Sequence, residues 1–169
     1  MTQLSYRYIK KKVKELANRI EAPANLLPTY RFSNGDESPL IEIDKFGNLH
    51  YVKVERGKEF ARETTTELDE LLYWIFSDVT FWMAIKFELN SRIESQDNRR
   101  ITFDQQEKLL GILSDSWRQK GHNEHIQILI NHPFDDLAGL RATYFRELRE
   151  KGLVESDINR MSYEKYPTN

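Results

Sequence analysis

Residues 64–100 read TTTELDELLYWIFSDVTFWMAIKFELNSRIESQDNRR, and this stretch decides the fold. Leu71 to Phe76 are apolar without interruption. Only Ser77, Asp78 and Thr80 are polar before a second dense group, Phe81 to Ile85. A helix that is apolar on all sides belongs inside a protein or inside a bilayer. Asp78 near its middle and Lys86 further on argue against the bilayer, where a central charge costs roughly 2.5–3.5 kcal/mol. The stretch therefore reads as a buried central helix over about 67–93, with a candidate break at Ser77–Asp78. Thr66 followed by Asp69 resembles a capping box that opens it.

The rest of the chain supplies what such a helix needs around it. At 169 residues the sequence is long enough to bury a substantial core in one domain. Its 31% charged and 39% hydrophobic residues are those of a folded soluble protein. With no cysteine, disulfides, thiol catalysis and thiolate metal sites are excluded. The first residues carry no apolar signal-peptide core, so export by that route is not expected. A net charge of −2 gives no global attraction to nucleic acid. Aromatic residues reach 12%, enough for some rings to serve as surface anchors for a partner.

Upstream, Tyr6, Ile9, Val13, Leu16 and Ile20 form the stripe of an amphipathic helix that Pro23 ends. Its other face carries Arg7, Lys10, Lys11 and Lys14, a basic surface that is either solvated or available to an acidic partner. Tyr30 to Phe32 is a short strand candidate before an Asn34–Gly35 turn. Leu40 to Asp44 and Leu49 to Arg56 alternate around Lys45-Phe46-Gly47-Asn48, which makes a β-hairpin over about 40–56. In its second strand Leu49, Tyr51 and Lys53 share one face. Gly57 ends it, and Glu59 to Thr65 adds a further strand. Downstream, Thr102 with Gln105 reads as a second capping box, opening a helix through Leu109, Leu110, Leu113 and Trp117 to a stop at Lys120–Gly121. A short helix near Ile126 to Ile130 and a last one over about 137–151 follow, then a polar tail from Glu155 read as poorly ordered. The expected class is α+β: one mostly helical domain with a small antiparallel sheet packed on the central helix.

Several clusters could carry chemistry, and each has a plainer structural reading. Asp78, if buried, needs a cation from elsewhere, with Arg56, Arg92, Arg99 or Arg100 as candidates. Asp97, Arg99 and Arg100 could grip a carboxylate or phosphate, or could cap the neighbouring helices. Glu55-Arg56-Gly57 with Lys58 and Glu59 could contact a partner, or could simply guard a strand edge. His122 and His125 have helical metal-ligand spacing, but no HExxH pattern accompanies them, so no metal is expected. Asp135–Asp136 after His132 could act as an acid–base pair, or could cap the following helix. No GxSxG, Walker loop or GxGxxG occurs.

Taken in order, Leu27-Pro28-x-Tyr30, Tyr51-Val52-x-x-Glu55-Arg56-Gly57-Lys58-Glu59 and Leu71-Leu72-Tyr73-Trp74 are followed by Asp97-x-Arg99-Arg100, Phe103-x-x-Gln106 and His132-Pro133-Phe134-Asp135-Asp136. This ordered set resembles the immunity protein 63 family, bacterial proteins encoded beside polymorphic toxins, over roughly residues 25–137. The resemblance implies a cytoplasmic, non-enzymatic protein without cofactors that binds a cognate toxin domain and neutralises it. Neither nucleic acid nor membrane is expected as a partner, and oligomeric state is left open. Contact residues implied are Glu55, Arg56, Asp97, Arg99 and Arg100, with a fold-holding role as their alternative. Two rival functions are a small protein-binding adaptor and a metal-dependent hydrolase using His132, Asp135 and Asp136.

Overall fold

A computed structural model describes residues 4–32 and 38–168. The Asn34–Gly35 turn lies outside the described residues. Among the described residues, six α-helices and a four-stranded sheet make an α+β fold. The residues divide into two compact units, Met1–Met83 with Gln106–Gly121, and Ala84–Gln105 with His122–Asn169.

The first unit is built around α2 (Leu68–Asn90), whose earlier residues belong to it. Leu71, Ile75, Phe76 and Val79 are fully or almost fully buried. Against them pack Ile9, Val13, Ala17 and Ile20 of α1 (Tyr6–Arg19) and its end, and Ile41, Leu49 and Tyr51 of the sheet. Leu109 and Leu110 of α3 (Asn98–Leu113) and Trp117 of α4 (Asp115–Asn131) complete the core. Trp117 stacks on Phe76 at 6.1 Å between ring centroids and meets Tyr73 edge-on at 6.2 Å. Its indole N–H donates to Asp69. Arg19 of α1 donates to the carbonyls of Ile112 and Leu113, closing the end of α3, where backbone acceptors have no helical partner.

α2 is unbroken at Ser77–Asp78. The Thr80 hydroxyl donates to the Phe76 carbonyl at 2.6 Å, and the Ser77 carbonyl accepts from Gln106 Nε2 at 3.0 Å, so the polar residues are satisfied without interrupting the helix. The helix closes at Asn90 rather than near Ile93, through a tightened turn from Ser91 N to Glu88 O. Its start is capped one residue earlier than the sequence reading. Thr65 accepts from Glu67 N at 3.0 Å and donates to Glu70 at 2.8 Å, because Thr65 is the buried strand-end residue whose side chain reaches the first turn.

The sheet runs β1 (Thr29–Tyr30), β2 (Leu40–Ile43), β3 (Leu49–Glu55) and β4 (Lys58–Thr65), in that spatial order. It is mixed rather than purely antiparallel, since β1 pairs with β2 in parallel over Thr29↔Leu40 and Tyr30↔Ile41. Two paired residues are too few for periodicity to reveal direction. β2 and β3 form the expected hairpin, with Asp44 accepting from the backbone of Phe46 and Asn48 across the turn. β3 and β4 join through Arg56 and Gly57, both at positive φ (50° and 74°), as a tight two-residue hairpin requires. β4 is the long edge strand. Its register slips once: Ala61 faces Lys53 and Glu59 faces Val54, which leaves Phe60 as a bulge.

Two helix boundaries differ from expectation. α3 opens at Asn98, not Thr102, because Asp97 supplies the cap: its carboxylate accepts from Arg99 N at 2.9 Å. Thr102 instead bonds back to the Asn98 carbonyl. Lys120–Gly121 does not end a helix. The break falls at Ser114, and Gly121 lies inside α4, where an added Cβ would come within 2.7 Å of Leu110 Cδ1. Glycine here is a close-approach residue, a use that looks like a terminus in sequence.

In the second unit α5 (Ala138–Glu150) ends before Gly152 as expected. Glu155–Lys165, read as a poorly ordered tail, forms α6 with Ile158 and Ser162 buried. Two inward residues four apart are enough to hold a short helix whose other faces are polar. Among the described residues no helix is long and apolar enough to cross a membrane.

Gly121→Ala is expected to destabilise the protein by about 1–2 kcal/mol, because fully buried Leu110 cannot swing clear. Urea unfolding measures this, and an unchanged midpoint would show that Leu110 repacks freely.

Candidate functional site

The sequence-derived contact residues fall in two places, one in each unit. Asp97, Arg99 and Arg100 lie in the second. Asp97 is buried, and its carboxylate accepts four hydrogen bonds: from Arg99 N (2.9 Å), Nε (3.0 Å) and Nη2 (2.7 Å), and from Asp135 N (2.8 Å). Arg99 also donates to the carbonyls of His132 (2.8 Å) and Pro133 (2.9 Å). Arg100 pairs with Asp136 at 2.8 and 3.0 Å and lies over the Phe134 ring at 4.1 Å. Asp136 accepts in turn from Asp97 N at 2.9 Å.

Residues 97–100 and 132–136 are thus tied by a reciprocal network of two carboxylates and two guanidiniums. Bidentate guanidinium–carboxylate geometry makes these the strong kind of charged hydrogen bond. Burial alone would push the Asp97 carboxyl up, but the bonds from Arg99 and from the Asp135 and Arg99 backbone outweigh it and hold it below the ordinary 3.8. The Arg100 bond, helped by Asp97 N, lowers Asp136 in the same sense. Asp135 accepts from Leu137 N and pairs with Arg141, which also donates to the Tyr166 carbonyl at 2.6 Å. Neither acid of the 135–136 pair is a free acid–base group. Beside the network is a cavity of about 550 Å³, lined in part by Arg92, Gln96, Asn98 and Thr143. Arg92 is engaged bidentately by the buried Glu88.

His125 stacks on Phe103 with centroids 3.9 Å apart. Among the described residues no three His, Asp or Glu side chains converge as a metal ion would require.

Glu55 and Arg56 sit in the first unit at the tip of the β3–β4 hairpin. Both are exposed, and neither has an ion-pair partner among the described residues. Next to Glu55 opens a groove of about 640 Å³ whose lining includes Lys53, Phe60, Asp78, Phe81 and Trp82. Asp78 finds its partners here, and they are none of the four arginines considered from sequence. It accepts from Tyr51 Oη at 2.8 Å and pairs with Lys53 at 2.8 Å. Tyr51 and Lys53 share the sheet face that α2 covers, so the acid is met by the strand beneath it. Burial, then the Asp78 charge, drives the Tyr51 phenol far upward and keeps it a proton donor. Tyr-x-Lys on a face shared with Leu49, opposite an apolar helical stretch that Asp78 alone among acids interrupts between Leu71 and Ile85, was the sequence signal for this pairing.

The aromatic lining escaped sequence reasoning. Phe60, Phe81 and Trp82 are 63%, 38% and 57% exposed, although α2 reads as apolar on all sides and so as wholly enclosed. The sheet and the neighbouring helices cover one side of this segment and leave these rings outside.

Asp97→Ala is expected to cost about 3 kcal/mol, at the low end for a broken buried pair because Arg99 keeps some access to water. Because Asp97 and Asp136 are depressed in the folded state, the stabilisation they bring is complete at neutral pH and is lost as pH falls through their folded values. Unfolding free energy should therefore decline from about pH 5 downward. Asp97→Asn should flatten that decline in a urea series run at several pH values.

No curated protein and no solved structure matches the chain. Residues 44–127, from the β2–β3 turn into α4, match the family described as Immunity protein 63. By this match, which spans about half of its length and takes in four of the six ordered motifs, those at 27–30 and 132–136 lying outside it, the protein belongs to the Immunity protein 63 family.

Proposed function

We propose that this protein binds a cognate toxin domain and neutralises it by tight association, either by covering the toxin's active site or by locking it in an inactive arrangement. The observation that carries the reading is the family match, which includes β3, β4, α2 and α3. The site of action in this reading is the cytoplasm, and the role is non-enzymatic. Engagement of Asp135 by Arg141 and of Asp136 by Arg100 supports that, because both acids are committed to holding the chain. A near-neutral net charge of −2 favours a protein partner met through shape and local contacts over mimicry of nucleic acid.

Within this reading Glu55 and Arg56 are direct contacts, supported by their exposure at the hairpin tip. Arg100 contributes its open side, while Asp97 and Arg99 act by fixing the segment that presents it.

Co-expression with the toxin domain encoded beside this gene tests the proposal. Growth should be restored and the two chains should co-purify as a stable complex. Neither rescue nor complex with that domain would overturn it and bring forward the small adaptor reading.

A further inference from the structure

Three exposed aromatic side chains converge on one concavity from two elements. Phe81 and Trp82 come from α2, with their rings 6.0 Å apart and edge-on. Phe60 comes from β4, where the bulge takes it out of register with β3. Bulges in edge strands re-aim a side chain, and here the side chain re-aimed is a phenylalanine lining the same groove as Trp82. Exposed apolar groups scattered singly need no explanation, whereas a concave cluster rimmed by charge marks a binding surface. Trp is also among the residues that most often dominate binding energy.

The charges say what kind of group fits. Lys53 and Asp78 neutralise one another at 2.8 Å, with each side chain about one-third exposed. Glu55, the remaining charged residue of the lining, has no ion-pair partner among the described residues. The groove therefore offers apolar aromatic walls and one carboxylate that no cation of the lining pairs, with Lys58 across the hairpin from it and outside the lining. Its complement is an apolar side chain next to a lysine or arginine. The cation would meet Glu55 or the face of Trp82, as aromatic rings attract cations when partly desolvated.

We propose that this groove receives the toxin domain, and that its occupant is a surface segment presenting an apolar side chain beside a lysine or arginine. This rests on the immunity reading above and specifies the surface and the chemistry by which it operates.

The test uses the full chain and a catalytically inactive form of the toxin domain encoded beside its gene. Affinity is measured by calorimetry for the wild type, Trp82→Ala, Phe60→Ser and Glu55→Lys, with Arg160→Ala on α6 as a surface control. Trp82→Ala is expected to weaken binding at least about thirtyfold, the loss typical of a central aromatic anchor. Glu55→Lys should weaken it further as salt is lowered, since like charges then face each other unscreened. Circular dichroism melts should match the wild type, because the replaced side chains are exposed. Wild-type binding with unchanged affinity in all three groove variants would overturn the groove and leave the immunity reading standing. No wild-type binding would overturn both. A wild-type dimer that Trp82→Ala dissociates, with toxin affinity unchanged, would assign the groove to a second copy of this chain and overturn the proposal.

Discussion

The first unit depends on one constraint: Leu71, Ile75, Phe76 and Val79 of α2 must be removed from water together. No single neighbour can do this, because Leu72 and Tyr73 are buried as well, and with Leu71, Ile75 and Phe76 they point in different directions around the helix. α1 supplies an aliphatic stripe, the sheet a face of Ile41, Leu49 and Tyr51, and α3 and α4 supply Leu110 and Trp117. Each of these elements is only marginally helical or extended alone, and each is stabilised by covering the same segment. Burying a full-sized apolar side chain contributes about 1.5–3 kcal/mol, so these residues outweigh any surface ion pair in the molecule.

Asp78 shows how a charge is tolerated within such a helix. It stands at the margin of the apolar segment, where Tyr51 and Lys53 reach it from β3 and water reaches it from the groove. The same opening that keeps the carboxylate solvated leaves Phe81 and Trp82 uncovered. Solvation of the acid and exposure of the rings are thus two results of one gap in the covering layer.

The sequence was most legible where a pattern is long or a residue has one dominant use. The stripe of α1, the hairpin around Gly47 and the stop of α5 before Gly152 follow from periodicity and turn chemistry alone. Legibility failed where one residue type has two uses. Gly121 stands for close packing against Leu110 rather than a terminus. Asp97 is at once a helix cap and the centre of an ion network, and only the second role needs residues 132–136, which sequence distance hides. Of the candidate site, the exposed tip at Glu55–Arg56 could be read from a tight turn. The aromatic groove could not, because the bulge at Phe60 depends on pairing that no local pattern encodes.

The open edge of β4 has a consequence for the protein before it meets any partner. Lys58, Glu59, Arg62 and Glu63 are exposed along it, and Arg62 is pinned by Glu59 and Glu42 at 2.7 Å each. A second chain adding itself there would have to crowd these charged side chains and their pairs at the new seam, which is how charged residues blunt an open edge. Charge along the edge thus opposes growth of the sheet from molecule to molecule, even though an aromatic surface lies close by. An edge of this kind lowers the tendency of the chain to condense upon itself as its concentration rises.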